Sequence, residues 1–309
     1  MKKFYSNGKL LITGEYVVLD GALSLALPTK FGQSLEIETI NEPKIIWESF
    51  DEKNNIWFED SFTIDEVCSG FKKPHNDVSK RIIQILEAVK TLNPDFLITN
   101  EGFKISTKLT FPRNWGLGTS STLINNIADW ANVDAYQLLE KTFGGSGYDI
   151  ACAQNNTPIT YQLKPLNSTE IHRSIKKIDF NPEFKESLYF VYLNKKQNSR
   201  DGIATYNATK NNTASIVSEI NDITNQIISR NSLEDFEFLI SQHENIISKI
   251  INQKTVQERF FSDFNGSIKS LGAWGGDFVL AASKNNPNAY FKEKGFDVVL
   301  PYKEMILLF

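Results

Sequence analysis

The sequence predicts a mixed α+β chain, and three observations carry that expectation. Residues 9 to 64 are rich in short apolar runs of strand length. Helical periodicity takes over at residues 76–92, 120–131, 213–230 and 233–251. After Gln162 the pattern resets, with new strands and the two longest helices. At 309 residues and 41% hydrophobic, the chain can bury a substantial core and is long enough for two domains or for one large α/β domain. A soft boundary falls in "LKPLNSTE", dividing the chain into residues 1–165 and 166–309.

Taken in order, "KLLITGEYVVL", "LSLAL", "QSLEIETI", "KIIWESF" and "NIWFED" read as strands, the last two separated by the turn-like "DEKNN". The helix from Asn76 to Leu92 turns Ile82, Ile83, Leu86 and Val89 to one side. "KISTKLTFPRN" alternates, with Ile105, Leu109 and Phe111 on one side, which marks a strand over 103–111. The helix of 120–131 repeats Leu123, Ile124, Ile127 and Ala128 at helical spacing, and "DAYQLLEKTF" is a short helix that Asp134 is placed to cap. Further on, "SLYFVYL", "DFVLAAS" and "FDVVL" are strands, "NAYFKEKG" is a short helix, and the Asn-rich residues 207–212 read as a loop. No internal repeat is visible.

The formal net charge of −4, with both signs mixed along the chain, gives no general electrostatic reason to bind nucleic acid or an anionic membrane. A small anionic ligand would need a local site. Met1 to Leu19 holds neither a signal core nor a spanning segment, because Gly14 and Glu15 interrupt its apolar residues, so a cytoplasmic protein is expected. Cys68 and Cys152 exclude a disulfide framework, and His75, His172 and His243 make no zinc pattern. The sequons at Asn167, Asn207, Asn211 and Asn265 read as silent without a secretory route.

Chemistry is suggested first by "GLGTSST" at 116–122, between a strand and a helix. A helix start presents unpaired N–H groups and partial positive charge, so it favours an anion. Glycines at 116 and 118 let backbone amides come close to a phosphate, and Thr119, Ser120 and Ser121 add hydroxyls for hydrogen bonding or for Mg²⁺. The plainer reading is that Ser120 or Ser121 caps the helix and the glycines make a turn. Neither GxxxxGK(S/T) nor a complete GxGxxG is present. Two more glycine clusters follow: "FGGSGYDIACA", with Asp149 directly after a Gly-rich turn, and "SLGAWGGDFVLA", with Gly272, Gly275 and Gly276 before an apolar strand.

Together with "SNGKLLITGEYVVLDGALSLALPT", these stretches form an ordered set that resembles the GHMP kinase superfamily, the group of galactokinase, homoserine kinase, mevalonate kinase and phosphomevalonate kinase. The family's first motif is similar to "GKLLITGEYVVLDG". Its second, PxxxGLGSSAA, is similar to "PRNWGLGTSST", and its third, a GxGxGG-like turn, to "GAWGGD", where Trp274 departs from the usual Gly. The "SGxD" element is "SGYD", in a GYDIA wording. The resemblance covers residues 7 to 281. It implies an N-terminal domain similar to ribosomal protein S5 domain 2, a ferredoxin-like C-terminal domain, and ATP and Mg²⁺ as cofactors.

The resemblance also implies roles residue by residue. Gly116, Leu117, Gly118, Thr119, Ser120 and Ser121 match the phosphate loop, with Ser120 a Mg²⁺ ligand. Glu140 is the local candidate for the second metal ligand, against the alternative of a solvated helix residue. Asp149 matches the catalytic Asp and Lys9 the Lys beside it. Substrate contacts are expected from Glu15 and Tyr16, from Ser146 and Gly147, from Gly275, Gly276 and Asp277, and from Lys196, Ser199 and Arg200 in "NKKQNSRDG". "GEYVVLDG" and "GGD" are closest to the phosphomevalonate and mevalonate kinase branch, so a small anionic acceptor is expected, with a monomer or homodimer as the assembly. The alternatives are a catalytically silent metabolite or nucleotide sensor of the same fold, or a kinase for another small alcohol such as homoserine.

Overall fold

The structure is a computed structural model and describes residues 1–69, 76–98, 101–165, 171–197, 199–210 and 213–307. The elements in chain order begin with β1 (Lys2–Leu11), β2 (Ser24–Ile40), β3 (Lys44–Phe50), β4 (Ile56–Thr63), α1 (Ile64–Ser69), α2 (Asp77–Leu92) and β5 (Gly102–Leu109). Next come α3 (Thr119–Ala131), α4 (Ala135–Thr142), α5 (Tyr148–Ala153), β6 (Ile159–Pro165), β7 (Ile171–Lys177) and β8 (Leu188–Tyr192). The chain continues through α6 (Ser199–Thr209), α7 (Ala214–Ser229), α8 (Leu233–Ile251), α9 (Val256–Phe260), β9 (Ser267–Ser270) and β10 (Phe278–Ala282). The last elements are α10 (Asn288–Glu293), β11 (Val299–Pro301) and α11 (Tyr302–Met305).

Contacts divide the chain into two units that interleave in sequence. The first is Met1–Gly8, Phe31–Arg113 and Gly118–Gln154; the second is Lys9–Lys30, Asn114–Leu117 and Asn155–Phe309. The strands β1 and β2 therefore each contribute to both. The division of the sequence at residue 165 borders residues 166–170, which lie outside the described residues.

In the first unit the strand order is β4-β3-β5-β2. The pair β3 and β5 is parallel, while β3–β4 and β5–β2 are antiparallel, Gln33 standing opposite Leu109 and Ile40 opposite Gly102. The alternation of β5 buries Ile105 and Leu109, and Ile105 joins Leu35, Ile37 and Trp47 in one core. Ile82, Ile83, Leu86 and Val89 of α2 and Ile124, Ile127 and Ala128 of α3 complete that core, as their spacing predicts. Caps fix the helix limits: Asn76 accepts from Val78 N (2.9 Å) and Ser79 N (3.0 Å), and Asp134 from Gln137 N (2.8 Å).

In the second unit the first residues of β2 pair with β6, and β6 with β7, while a separate antiparallel sheet runs β11-β8-β10-β9. Every residue of β8 and β10 is buried, and Val191, Val279 and Ala281 pack with Phe261 and Phe291. The helix α8 lies against β9, and both α6 and α7 pack on α8.

Several expectations need correction. "KLLITGEYVVL" is not one strand: β1 starts at Lys2 and stops at Leu11, Gly14 (φ 90°) and Tyr16 (φ 63°) turn the chain, and Val17–Asp20 forms a 3₁₀ turn. "LSLAL" and "QSLEIETI" are parts of the single 17-residue strand β2. Residues 207–209 end helix α6 instead of lying in a loop; 211 and 212 are outside the described residues, as are His75, Asn167 and the side chain of Cys68. Cys152 is a buried free thiol.

Candidate functional site

The loop before α3 turns on two glycines. Gly116 (φ 69°) and Gly118 (φ 97°) both occupy the left-handed region that glycine adopts at little cost. Gly118 is the N-cap of α3, so no side chain closes that helix end. The alternative reading, a Ser cap, is not what forms. Ser121 Oγ donates back to the Gly118 carbonyl (2.9 Å), and Ser120 is exposed in the first turn. The first-turn amides of Thr119, Ser120 and Ser121 and the positive end of a 13-residue helix are thus presented together. Leu117 is buried and anchors the loop.

In the second unit three distant motifs meet at residue 116. Lys9 donates its backbone N–H to the Leu117 carbonyl and its Nζ to the Gly116 carbonyl, both at 3.0 Å. Trp115 packs edge-on against Phe278, with centroids 5.3 Å apart. The Asp277 carboxyl group lies close against Gly116: a Cβ placed there would fall 2.4 Å from its Cγ. Asp277 itself ties two turns together. Its N–H donates to the Lys195 carbonyl (2.6 Å), its carbonyl accepts from Leu193 N (2.8 Å), and its Oδ1 accepts from Gln197 N (3.1 Å). Burial raises its pKa above the ordinary value, opposed by the Gln197 N–H and by the charges of Lys9 and Lys196. Gly275 (φ 98°) and Gly276 shape this turn; a Cβ on Gly276 would lie 2.7 Å from the Lys195 carbonyl oxygen. Lys196 is exposed, and the side chains of Ser199 and Arg200 are outside the described residues.

Asp149, Ser146, Gly147 and Glu140 belong to the first unit. Gly144, Gly145 and Gly147 all have positive φ, the last as N-cap of α5, and Ser146 is buried. Asp149 stands half-buried in the first turn of α5, its Oδ1 accepting from Ile150 N (3.0 Å). Glu140 is exposed in the last turn of α4. Among the described residues no three His, Cys, Asp or Glu side chains gather into a metal-holding group. Ser120 and Glu140 are both exposed oxygen donors, the kind of group that Mg²⁺, which keeps waters and takes phosphate oxygens, accepts.

Glu15 and Tyr16 are buried in the second unit. The Glu15 carboxylate, 1% exposed, receives Lys269 Nζ at 2.5 Å and offers no open surface to a ligand. His243 Nε2 lies 3.5 Å from Glu15 but accepts the Gly14 N–H at 2.8 Å; burial, then Lys269, holds the imidazole pKa well below its ordinary value. His243 is therefore neutral, and the ion pair of this cluster is Glu15–Lys269. Tyr16 OH accepts from Trp274 N (3.1 Å), and its ring stacks on Tyr206 at 5.7 Å. Gly202 is required here, since a Cβ would lie 2.7 Å from Tyr16 OH. Lys269, His243 and Glu244 were not foreseen, because nothing in their spacing distinguishes a buried charge on a strand or helix from a solvated one.

Glu244 gives a pH prediction. Its carboxylate accepts from Ser270 Oγ (2.8 Å) and Ser270 N (3.1 Å), yet burial pushes its pKa up to about 7 despite Lys269. A carboxyl with a raised folded pKa contributes stability that is complete below its unfolded pKa and is lost as pH rises through about 7. Glu244→Gln is therefore expected to gain in Tm relative to wild type as pH goes from about 5 to about 9, checked by calorimetry across that range. A constant difference in Tm would show that Glu244 is charged throughout.

No protein-family model and no curated relative matches the chain. Among solved structures it is similar to the mevalonate kinase of Methanococcus jannaschii, at 18% identity and TM-score 0.67 over 95% of this chain and 94% of that one. It is similar to the phosphomevalonate kinase of Streptococcus pneumoniae solved with phosphomevalonate and AMPPNP, at 16% identity and TM-score 0.67, over 100% of this chain and 99% of that one. The galactokinase of Lactococcus lactis solved with galactose matches at 13% identity and TM-score 0.67, over 95% of this chain and 88% of that one. The α+β fold of the chain is that of the GHMP kinases. Among the described residues no helix is long and apolar enough to cross a membrane.

Proposed function

We propose that the chain is an ATP- and Mg²⁺-dependent small-molecule kinase of the GHMP superfamily, a cytoplasmic monomer or homodimer acting on phosphomevalonate or mevalonate in isoprenoid precursor synthesis. The observation that carries this reading is the convergence of Lys9, Gly116 and Asp277 from three separated motifs within the second unit. Residues 116 to 121 would hold the ATP phosphates through backbone amides, with Ser120 and Glu140 as candidate Mg²⁺ ligands. The metal, when bound, neutralises charge on the transferred phosphoryl group. Asp149 would accept the proton of an attacking alcohol or, with a phosphate acceptor already ionised, orient it. Lys9 would steady developing negative charge. We keep residues 1–165 and 166–309 as the two domains of this reading.

For the acceptor, the exposed Lys196 and, four residues on in the sequence, Arg200 would supply cations for a phosphate or carboxylate. Replacing both by Ala is expected to raise the phosphomevalonate KM strongly, because each charge-assisted hydrogen bond contributes about 1.5 to 3 kcal/mol. Mevalonate, which lacks the phosphate, should lose less. The check is the ratio of kcat/KM for the two acceptors in wild type and double mutant. A wild type that prefers mevalonate, with a ratio untouched by the mutations, would replace phosphomevalonate with mevalonate as the acceptor.

A further inference from the structure

A chain of hydrogen bonds crosses the interior of the first unit on a face of α3 where apolar side chains would ordinarily stand. Gln154 Nε2 donates to Asn125 Oδ1 (2.9 Å), Asn125 Nδ2 to Ser6 Oγ (3.0 Å), Ser6 Oγ to Asn126 Oδ1 (2.8 Å), and Asn126 Nδ2 to the Gln33 carbonyl (2.9 Å). The Gln33 side chain carries the connection on. Thr122 Oγ1 lies 2.8 Å from Gln33 Oε1 and 3.0 Å from the carbonyl of Gly118, the N-cap of α3. Its single proton serves one of these acceptors at a time. Ser6, Gln33, Thr122, Asn125 and Asn126 are each 2% exposed or less.

Burying two asparagines, a glutamine and two hydroxyls is costly unless each is satisfied, and an apolar face on α3 would pack without that cost. What the polar chain adds is register. The four links from Gln154 to Gln33 all donate in the same sense, so each polarises the next, and none tolerates a slide of more than a few tenths of an ångström. Its two ends are informative. One is Gly118, in the proposed phosphate loop; the other is Gln154, the C-cap of α5, whose first turn carries Asp149. Six residues of helix span about 9 Å, so a shift at the Gln154 end is transmitted to Asp149 as a rigid body.

We propose that Asn125 and Gln154 are positioning residues that hold α5, and with it Asp149, in fixed register with the helix of the phosphate loop. The inference rests on the kinase reading above. Phosphoryl transfer depends mostly on placement, and a displacement of about 1 Å can cost roughly 10²-fold in rate.

The test is a double-mutant cycle of Asn125→Ala and Gln154→Ala on the full chain. Because Gln154 is exposed and terminal to its helix, Gln154→Ala and the length-preserving Gln154→Glu, which loses the donor, are expected to keep the wild-type Tm. They remain informative even if Asn125→Ala does not fold. The expected result is a kcat lowered about 5- to 20-fold in each single mutant with KM for ATP nearly unchanged, and a double mutant no slower than the slower single one. Hydrogen exchange at residues 148–153 should speed up alongside. A wild-type enzyme that turns over while all variants keep full kcat overturns the positioning role and leaves the kinase reading standing. A wild type that binds ATP but transfers phosphate to no acceptor overturns both.

Discussion

Asp149→Asn is expected to lower turnover by about 10²-fold or more while ATP affinity stays within a small factor of wild type. The substitution keeps the size of the side chain and, with its amide oxygen toward Ile150 N, the hydrogen bond that the carboxylate accepts there at 3.0 Å. What it removes is the charge, and with it the capacity to take or orient the proton of an acceptor. Because the bond to Ile150 N is kept, the Tm should change little. Parallel measurement of kcat, ATP binding by calorimetry and Tm separates the roles. Wild-type turnover would reduce Asp149 to a helix-start carboxylate, the plainer role its contact with Ile150 already allows.

Gly118→Val is expected to abolish measurable nucleotide binding, a loss of about 10²-fold or more in affinity, in a chain that still folds. Two costs combine. A β-branched residue at φ 97° is strained wherever it stands, and its methyl groups would project where the first-turn amides of α3 have to meet phosphate oxygens. The core of the first unit lies elsewhere, in α2, β5 and the later turns of α3, so cooperative unfolding should survive at a lower Tm. ATP binding at wild-type affinity in a folded Gly118→Val chain would remove residues 116–121 from the nucleotide site.

Much of this was legible in the sequence wherever one periodicity ruled a whole element. The buried face of α2, the inward alternation of β5 and the cap at Asp134 came out as read, since each is written in residues close together. The glycine motifs were legible as a set, and at residue 116 the first, the second and the third-motif turn at Asp277 come together. Elements ruled by distant contacts were not. "SRDGIATYNAT" has weak helix propensity, yet α6 forms because fully buried Tyr206 stacks on Tyr16 and donates its hydroxyl to Asp20, which also pairs with Lys210 at 2.7 Å. Glu15 read as a ligand group from its motif alone; its burial depends on Lys269, 254 residues away. Nothing in the sequence marked Asn125 and Asn126, because only the fold supplies Ser6, Gln33 and Gln154 as their partners.

The central claim, that this fold and this loop serve phosphoryl transfer to a small acceptor, is tested most directly by one measurement. Wild-type protein is incubated with ATP and Mg²⁺ and with mevalonate, phosphomevalonate, homoserine or simple sugars, and ADP formation is followed together with the mass of the acceptor. The expected result is ADP released in step with an acceptor that has gained one phosphoryl group, with phosphomevalonate or mevalonate the preferred partner. Tight ATP binding with no ADP and no change of mass in any acceptor would contradict it, and would assign the chain to binding without catalysis.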